Sequence, residues 1–459
     1  MPILQDITEL QAMFRATRNR TTSLCCDLTP EDMCIQADDD ASPTKWHLAH
    51  TTWFFDQFLL RAFQEAYEPY CDSFDYLFNS YYDSVGAFAA KPTRGLISRP
   101  SVQDVMAYRE AIDDAVIQLL DRDDLDQPVR ETVQVGINHE QQHQELLLMD
   151  IKHLFARNPL RPAYCKEQYL CPAFHFLTNH DQWHRIDGGI RTIGAEEAAF
   201  AYDNEKPSHD VIIRDFELRT TLVTCGEYLE FIEAGGYQNA AYWLSDGWKA
   251  VKAHEWQCPM YWTHTDGGWE VMTLHGQRPL REEEPVCHVS YFEADAFARF
   301  RGCRLPTEQE WEVGSEGAGL TGNFLEQGSM HPAPSGLCMD HSPTAAEPVA
   351  SSDNGRIRFG DRHFPRVASS QVPPAPLQLF GDLWEWTSSP YQAYPGFRSY
   401  DGSLREYNAK FMCNQFVLRG GCCVTPIDHL RRTYRNFYAP VSRWLFSGIR
   451  LARDVASSA

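Results

Sequence analysis

Two histidines four residues apart, in His139-Glu140-Gln141-Gln142-His143, stand inside a segment of helical periodicity. Residues at that spacing share one helical face, so both imidazoles can reach a single metal ion. The same five residues satisfy H-E-x-x-H, in which a helical histidine pair binds zinc and the glutamate is the general base of a protease. Two packed histidines on a helix would satisfy it equally well. A third candidate ligand comes from Trp46-His47-Leu48-Ala49-His50 on another expected helix, where His47 and His50, three apart, both point broadly inward. Three imidazoles from two helices, with no carboxylate among them, form a facial site with open positions. Such a site suits zinc hydrolysis or Fe(II) chemistry with O2, and spacing leaves both metals open.

Two more clusters lie between these helices. Leu77-Phe78-Asn79-Ser80-Tyr81-Tyr82-Asp83 puts adjacent phenols, Tyr81 and Tyr82, in a loop, where a phenol can donate a proton or simply pack with its hydroxyl satisfied. Arg94-Gly95-Leu96-Ile97-Ser98-Arg99-Pro100 places two guanidinium groups just before a helix. Such forks suit a substrate carboxylate, although ion-paired surface arginines are the common alternative.

The elements that must hold these groups are helical over the first ~155 residues. Apolar residues Val102, Val105, Met106, Ile112, Val116, Leu119 and Leu120 recur at helical spacing behind Pro100-Ser101, a helix start. A second long helix is expected from about Pro128 to Phe155, a third from about Ser42 to Phe63, and an early one near Asp6–Arg18. Four helices pack most economically as a four-helix bundle. The texture changes at Arg157-Asn158-Pro159-Leu160-Arg161-Pro162 and again at Cys171-Pro172, a proline-bearing linker. Beyond it, segments are short and rich in Gly, Trp and Tyr, as irregular α+β structure requires. The stretch from His341 to Pro376 reads as a long surface excursion. The expected division is residues 1–157, a linker over 158–183, and residues 184–455.

The chain has 459 residues, 41 Lys+Arg against 63 Asp+Glu for a net charge of −22, and 14 cysteines. That length suggests two or three domains with a large core, and so acidic a chain repels phosphate backbones, which excludes nucleic acid as a partner. No apolar run approaches the ~18 residues of a membrane span, and Met1-Pro2-Ile3-Leu4-Gln5-Asp6 lacks the features of an export signal. A cytoplasmic protein is expected, with scattered cysteines that are mostly buried apolar residues rather than disulfides or zinc ligands.

Taken in order, these clusters resemble the sulfoxide synthases of ergothioneine biosynthesis, the EgtB-like family. The matching segments are Ser42 to Phe55, Leu77 to Gly86, Arg94 to Pro100, His139 to Leu147, Gly381-Asp382-Leu383-Trp384-Glu385-Trp386-Thr387, and Tyr434-Arg435-Asn436-Phe437 to Arg450. The resemblance implies a DinB-like four-helix bundle followed by a domain similar to the formylglycine-generating enzyme, of C-type-lectin type. Phe200 to Glu205, Pro285 to Ser290 and Arg304 to Trp311 look like that domain independently. Where the formylglycine-generating enzyme carries its two working cysteines, this chain has Thr425 and Leu430, so its copper–thiolate chemistry is not expected here.

Carried over residue by residue, the resemblance implies Fe(II) held by His50, His139 and His143. It implies Gln142 against the imidazole of the betaine substrate hercynine, and Asn436 and Phe437 at the betaine end. Arg94 and Arg99 would hold the carboxylate of a sulfur donor, cysteine or γ-glutamylcysteine. Tyr82 or Tyr81 would donate the proton, with Tyr391 and Tyr394 ranked second. The reaction implied is O2-dependent C–S bond formation giving a sulfoxide. Cys422 stands where the family's Arg-Gly-Gly-Ser motif has serine, and a sister branch, the selenoneine synthases, joins selenium from a selenosugar instead. A zinc metalloprotease is the remote rival, since it leaves the whole second half unexplained.

Overall fold

The computed structural model describes residues 6–122, 125–165, 182–196, 200–335 and 378–455. Most of the expected linker, including Cys171-Pro172, and the whole expected excursion from His341 to Pro376 lie outside the described residues.

The first half is α1 (Ile7–Ser23), α2 (Pro30–Cys34), α3 (Thr44–Phe55), α4 (Arg61–Phe63), α5 (Ser73–Phe78), α6 (Val102–Leu120) and α7 (Gln127–Arg157). Its four long helices form the expected bundle: α7 packs on α1 and α3, and α6 packs on α3 and α1. Local chemistry sets their starts. Asp6 accepts the Thr8 amide ahead of α1, and Ser101 and Asp104 form a reciprocal capping box ahead of α6. The helix expected over Ser42–Phe63 is continuous to Phe63, but its middle, Asp56–Leu60, is π-helical. That wider turn leads with the buried Asp56, whose carboxylate accepts from Tyr108 (2.8 Å) and Arg61 (3.3 Å). The α3–α7 approach is close: a Cβ on Gly136 would meet the Phe55 ring at 2.5 Å. The short α2 and α5 give too few residues for periodicity to reveal.

The second half begins with β1 (Trp183–Ile186), β2 (Gly189–Ile193), β3 (His209–Ile213) and β4 (Phe216–Arg219), followed by α8 (Cys225–Glu233) and α9 (Ser245–Ala253). There follow β5 (Trp262–Thr265), β6 (Gly268–Thr273), β7 (Gly276–Pro279), α10 (Tyr291–Phe300), α11 (Glu308–Gly314), β8 (Trp384–Pro390), β9 (Phe416–Arg419), β10 (Asn436–Tyr438), β11 (Ser447–Gly448) and β12 (Ala452–Asp454). The strands make small sheets ordered β1-β4-β12, β10-β9-β8-β11, β2-β3 and β5-β6-β7. The four-stranded sheet matters most. It pairs Glu385 with Arg419 and Trp386 with Leu418, and it brings Asn436 opposite Leu418. Trp311, Trp384 and Trp386 are fully buried around it, and Trp311 and Arg450 both bond the Glu385 carboxylate.

One helix joins the halves. Most of α7 is buried, including the polar residues Asn138, His139, Glu140, Gln141, Gln144 and Glu145, because one side faces the bundle and the other faces the second domain. Trp384 donates to Glu145 at 2.8 Å, Lys152 donates to His288 at 2.6 Å, and Trp444 donates to Asp150 at 3.2 Å. No helix among the described residues is long and apolar enough to cross a membrane.

Candidate metal centre

The histidine spacing has the geometric consequence expected of it. His139 and His143 project from successive turns of α7, and His50 from α3 meets them, so that ligand nitrogens of all three lie within 4.8 Å of one another. His50 Nε2 and His139 Nε2 are 3.2 Å apart. Burial pushes His139 down to about 3 and drives His50 and His143 well below the usual imidazole range, so all three are neutral and keep a lone pair for a metal. His50 Nδ1 donates to the Phe78 carbonyl at 2.6 Å, which leaves Nε2 as its ligand atom. A donor set of three neutral imidazoles and no carboxylate fits a divalent transition metal with open positions, Fe(II) among them. His47 does not join this set: its Nδ1 contacts His143 Nδ1 (2.8 Å) and its Nε2 contacts Asp150 (3.0 Å).

The protease reading of the same motif fails on the glutamate. Glu140, a residue on from His139, is turned about 100° around α7 from it, toward α1 and α6. It is fully buried and receives Arg18 (2.8 Å), Thr21 (2.6 Å) and Arg109. These partners hold its carboxyl at about 2 even though burial alone would raise it. Its carboxylate ties α1, α6 and α7 together, is occupied by two guanidinium groups and a hydroxyl, and does not line the cavity beside the triad, so it is not placed as a general base there.

A cavity of about 500 Å³ lies between the two halves beside the triad. From the helical side it is lined by His139, His143, Gln142, Tyr81 and Arg94, and from the second domain by Tyr407, Tyr434, Asn436 and Phe437. Gln142 is gripped from the other domain: its Nε2 donates to the Tyr434 hydroxyl, and Tyr407 donates to its Oε1. Tyr407 stacks on Tyr202 and has its ring centre 5.8 Å from that of His139. Sequence reasoning missed Tyr407, which sits in Arg405-Glu406-Tyr407-Asn408 with nothing local to mark it.

Of the two phenols in the loop, Tyr81 reaches the cavity and Tyr82 stands behind it. Tyr82 is fully buried against Phe58 and Trp53, with its hydroxyl 3.5 Å from that of Tyr81. Burial raises both phenols, so both hold their protons. Tyr391 and Tyr394 do not line the cavity: Tyr391 stacks at 4.0 Å behind Phe437 and bonds Asn204, while Tyr394 donates to Glu308. Their place is in the support of Phe437 and of the Arg435–Glu308 ion pair (2.8 Å).

The two arginines part company. Arg94 is buried, lies 3.4 Å over the Trp46 ring and donates to Ser42 (2.9 Å), with Nε unpartnered and no carboxylate bonded. Burial brings this guanidinium down to about 9 against the opposing pull of the Asp150 carboxylate. Arg99, by contrast, is exposed, hydrogen-bonds among the described residues only the Ser98 carbonyl, and does not line the cavity. The backbone turns between the two residues, so their forks point to different places. Where the formylglycine-generating enzyme has cysteines, Thr425 donates to Glu145 at 2.5 Å and Leu430 is packed in the core. All twelve cysteines among the described residues are free thiols.

Residues 13–147 match the DinB superfamily, and residues 175–455 match the Sulfatase-modifying factor enzyme 1-like domain. Two curated relatives named hercynine oxygenase align along nearly the full length of both chains. That of Mycolicibacterium thermoresistibile is 30% identical and covers 97% of this chain and 95% of its own. That of Mycobacterium tuberculosis is 29% identical, at 97% and 99%. Ergothioneine biosynthesis protein 1 of Schizosaccharomyces pombe is 26% identical over 56% of this chain and 28% of its own. A helical DinB unit and a sulfatase-modifying-factor unit in this order, matched end to end by such relatives, make the chain a member of the EgtB-like family of ergothioneine biosynthesis.

Proposed function

We propose that the chain is an Fe(II)- and O2-dependent oxidoreductase that joins the sulfur of a small thiol to the imidazole carbon of hercynine as a sulfoxide. The balance is one thiol S–H and one imidazole C–H oxidised, one O2 reduced, one oxygen kept on sulfur and the other leaving as water. The observation that carries this reading is the neutral triad His50, His139 and His143, two of whose rings line a two-domain cavity that also holds the Arg94 guanidinium with no carboxylate bonded to it. When bound, Fe(II) supplies open positions for thiolate and O2 and the redox capacity to join them.

The chain's own groups do the rest. Gln142, fixed by Tyr434 and Tyr407, presents a polar edge beside the triad to hydrogen-bond the substrate imidazole. Phe437, with Asn436 beside it, offers an aromatic face and a weak acceptor to a quaternary ammonium. Arg94 binds the donor's carboxylate, so cysteine or γ-glutamylcysteine is favoured over a selenosugar, which has none. Tyr81, backed by Tyr82, holds the proton whose delivery directs the outcome to coupling rather than to simple oxidation of the thiol. In this division residues 1–157 supply the metal ligands and the donor clamp, and residues 184–455 close over the betaine. The free thiols support a reducing compartment, the cytoplasm.

The direct test is an anaerobic mixture of protein, Fe(II) and hercynine with cysteine, γ-glutamylcysteine or a selenosugar in separate arms, started with O2. A coupled sulfoxide in a thiol arm supports the reading. Product only in the selenosugar arm moves the chain to the selenium branch, and product in no arm rejects both.

A further inference from the structure

Of the groups around the triad, His47 and Asp150 are buried, touch one another and have no part in the chemistry above. Asp150 lies on α7 two turns beyond His143, and His47 lies on α3 one turn before His50. Each hydrogen bond between them has a direction that can be worked out. Asp150 Oδ2 accepts the Ser42 amide at 2.8 Å, and Oδ1 accepts the Trp444 indole N–H at 3.2 Å. Both partners can only donate, so this carboxyl group sits in surroundings made for an ionised carboxylate. The 3.0 Å contact from Asp150 Oδ2 to His47 Nε2 therefore has the proton on His47 Nε2. With His47 held as a neutral imidazole the ring carries one N–H, which leaves its Nδ1 as an acceptor. The 2.8 Å contact between His47 Nδ1 and His143 Nδ1 then needs its proton on His143. By the same count, His143 Nε2 is left with its lone pair.

We propose that Asp150 and His47 form a relay that fixes the proton of His143 on Nδ1, so that Nε2 is the atom offered to the metal. They are positioning residues of the metal centre. This inference rests on the metal-centre reading above. The three ligands are anchored unequally: His50 by the Phe78 carbonyl, His143 by an anionic relay, and His139 by no hydrogen bond to its Nδ1. A carboxylate behind an imidazole strengthens it as a ligand, and here the charge acts through an intervening ring. Because Trp444 belongs to the second domain, docking of that domain completes the relay at its far end.

The test titrates the full-length metal-free chain with Co(II), followed by its visible absorption, in four forms: wild type, His47→Leu, His47→Gln and Asp150→Asn. Circular dichroism reports folding of each. His47→Leu is expected to weaken Co(II) binding by about 10- to 100-fold and alter the absorption bands, with Asp150→Asn shifted the same way by less. A glutamine can accept from His143 and donate to Asp150, so His47→Gln is expected to stay within a few-fold of wild type. A folded His47→Leu chain with wild-type affinity and spectrum overturns the relay. Should that variant not fold, unchanged affinity in Asp150→Asn overturns it equally. If the wild type itself takes up no Co(II), the metal-centre reading fails and takes the relay with it.

Discussion

Gln142 donates from Nε2 to the Tyr434 hydroxyl 2.6 Å away, across the boundary between the two domains. With Tyr407 on its other end, this amide has a fixed orientation, and its place in the cavity depends on correct docking. Gln142→Leu is expected to raise KM for hercynine by about tenfold, the worth of one hydrogen bond with its desolvation, while metal content stays at wild type. Steady-state kinetics beside elemental analysis check this, and a loss of metal would show that Gln142 acts on the triad instead.

The two loop phenols are arranged in series. Among the described residues the Tyr82 hydroxyl meets only that of Tyr81, so removing the Tyr81 hydroxyl disconnects both. Tyr81→Phe is expected to lower coupled product by about 100-fold and to release more of the donor as its sulfinic acid. The double variant with Tyr82→Phe should be no worse. Chromatography of the products gives both quantities, and additive losses would contradict an arrangement in series.

Arg94 carries a prediction about the donor. Arg94→Gln removes the one buried cation facing the cavity from this loop, and the hydrogen bond it would make to a carboxylate is charge-assisted. KM for the thiol donor is expected to rise by about 10- to 100-fold, with KM for hercynine little changed. Arg99→Gln should leave both constants at wild type, since Arg99 lies outside the cavity.

Glu145 makes stability depend on pH. Burial among neutral donors, Thr425 and Trp384, pushes it up to about 7 from the ordinary 4.5. Between those values the folded chain keeps a proton that the unfolded chain releases, so this group lowers stability as pH rises from 4.5 to 7, by at most about 3 kcal/mol. Glu145→Gln removes that slope. Relative to wild type its unfolding free energy should be near equal at pH 4.5 and should gain as pH rises, levelling off above 7. Urea unfolding at several pH values measures this, and parallel curves for the two proteins would refute it.

Much of the helical half was legible because its signals are local. The Ser101 start and the apolar positions from Val102 to Leu120 coincide with α6, and the four-residue histidine spacing places two ligands on one face of α7. The choice between His47 and His50 was not legible from spacing, because three residues apart is still one side of a helix; what decides it is that both His47 nitrogens are already bonded. Glu140 misleads in the same local way. Its motif is complete in sequence, yet its role is set by Arg18 and Arg109 on two other helices. Tyr407, Tyr434 and Trp444 reach the site only through the docking of the second domain, and no periodicity carries that information. Arg99 shows the converse, a residue near the right place in sequence that the backbone turns outward.

α7 has a further consequence through its phase. Along about 20 Å of it, at 1.5 Å per residue, the turns present His139, then Gln142 and His143, then Glu145, then Asp150, then Lys152. Each meets a different partner in either domain. A substitution at one of these positions disturbs one contact. An insertion or deletion of a single residue between His139 and Lys152 would rotate everything beyond it by about 100° and disconnect the ligands from the docking contacts together. The segment is therefore far less tolerant of a change in length than of a change in composition.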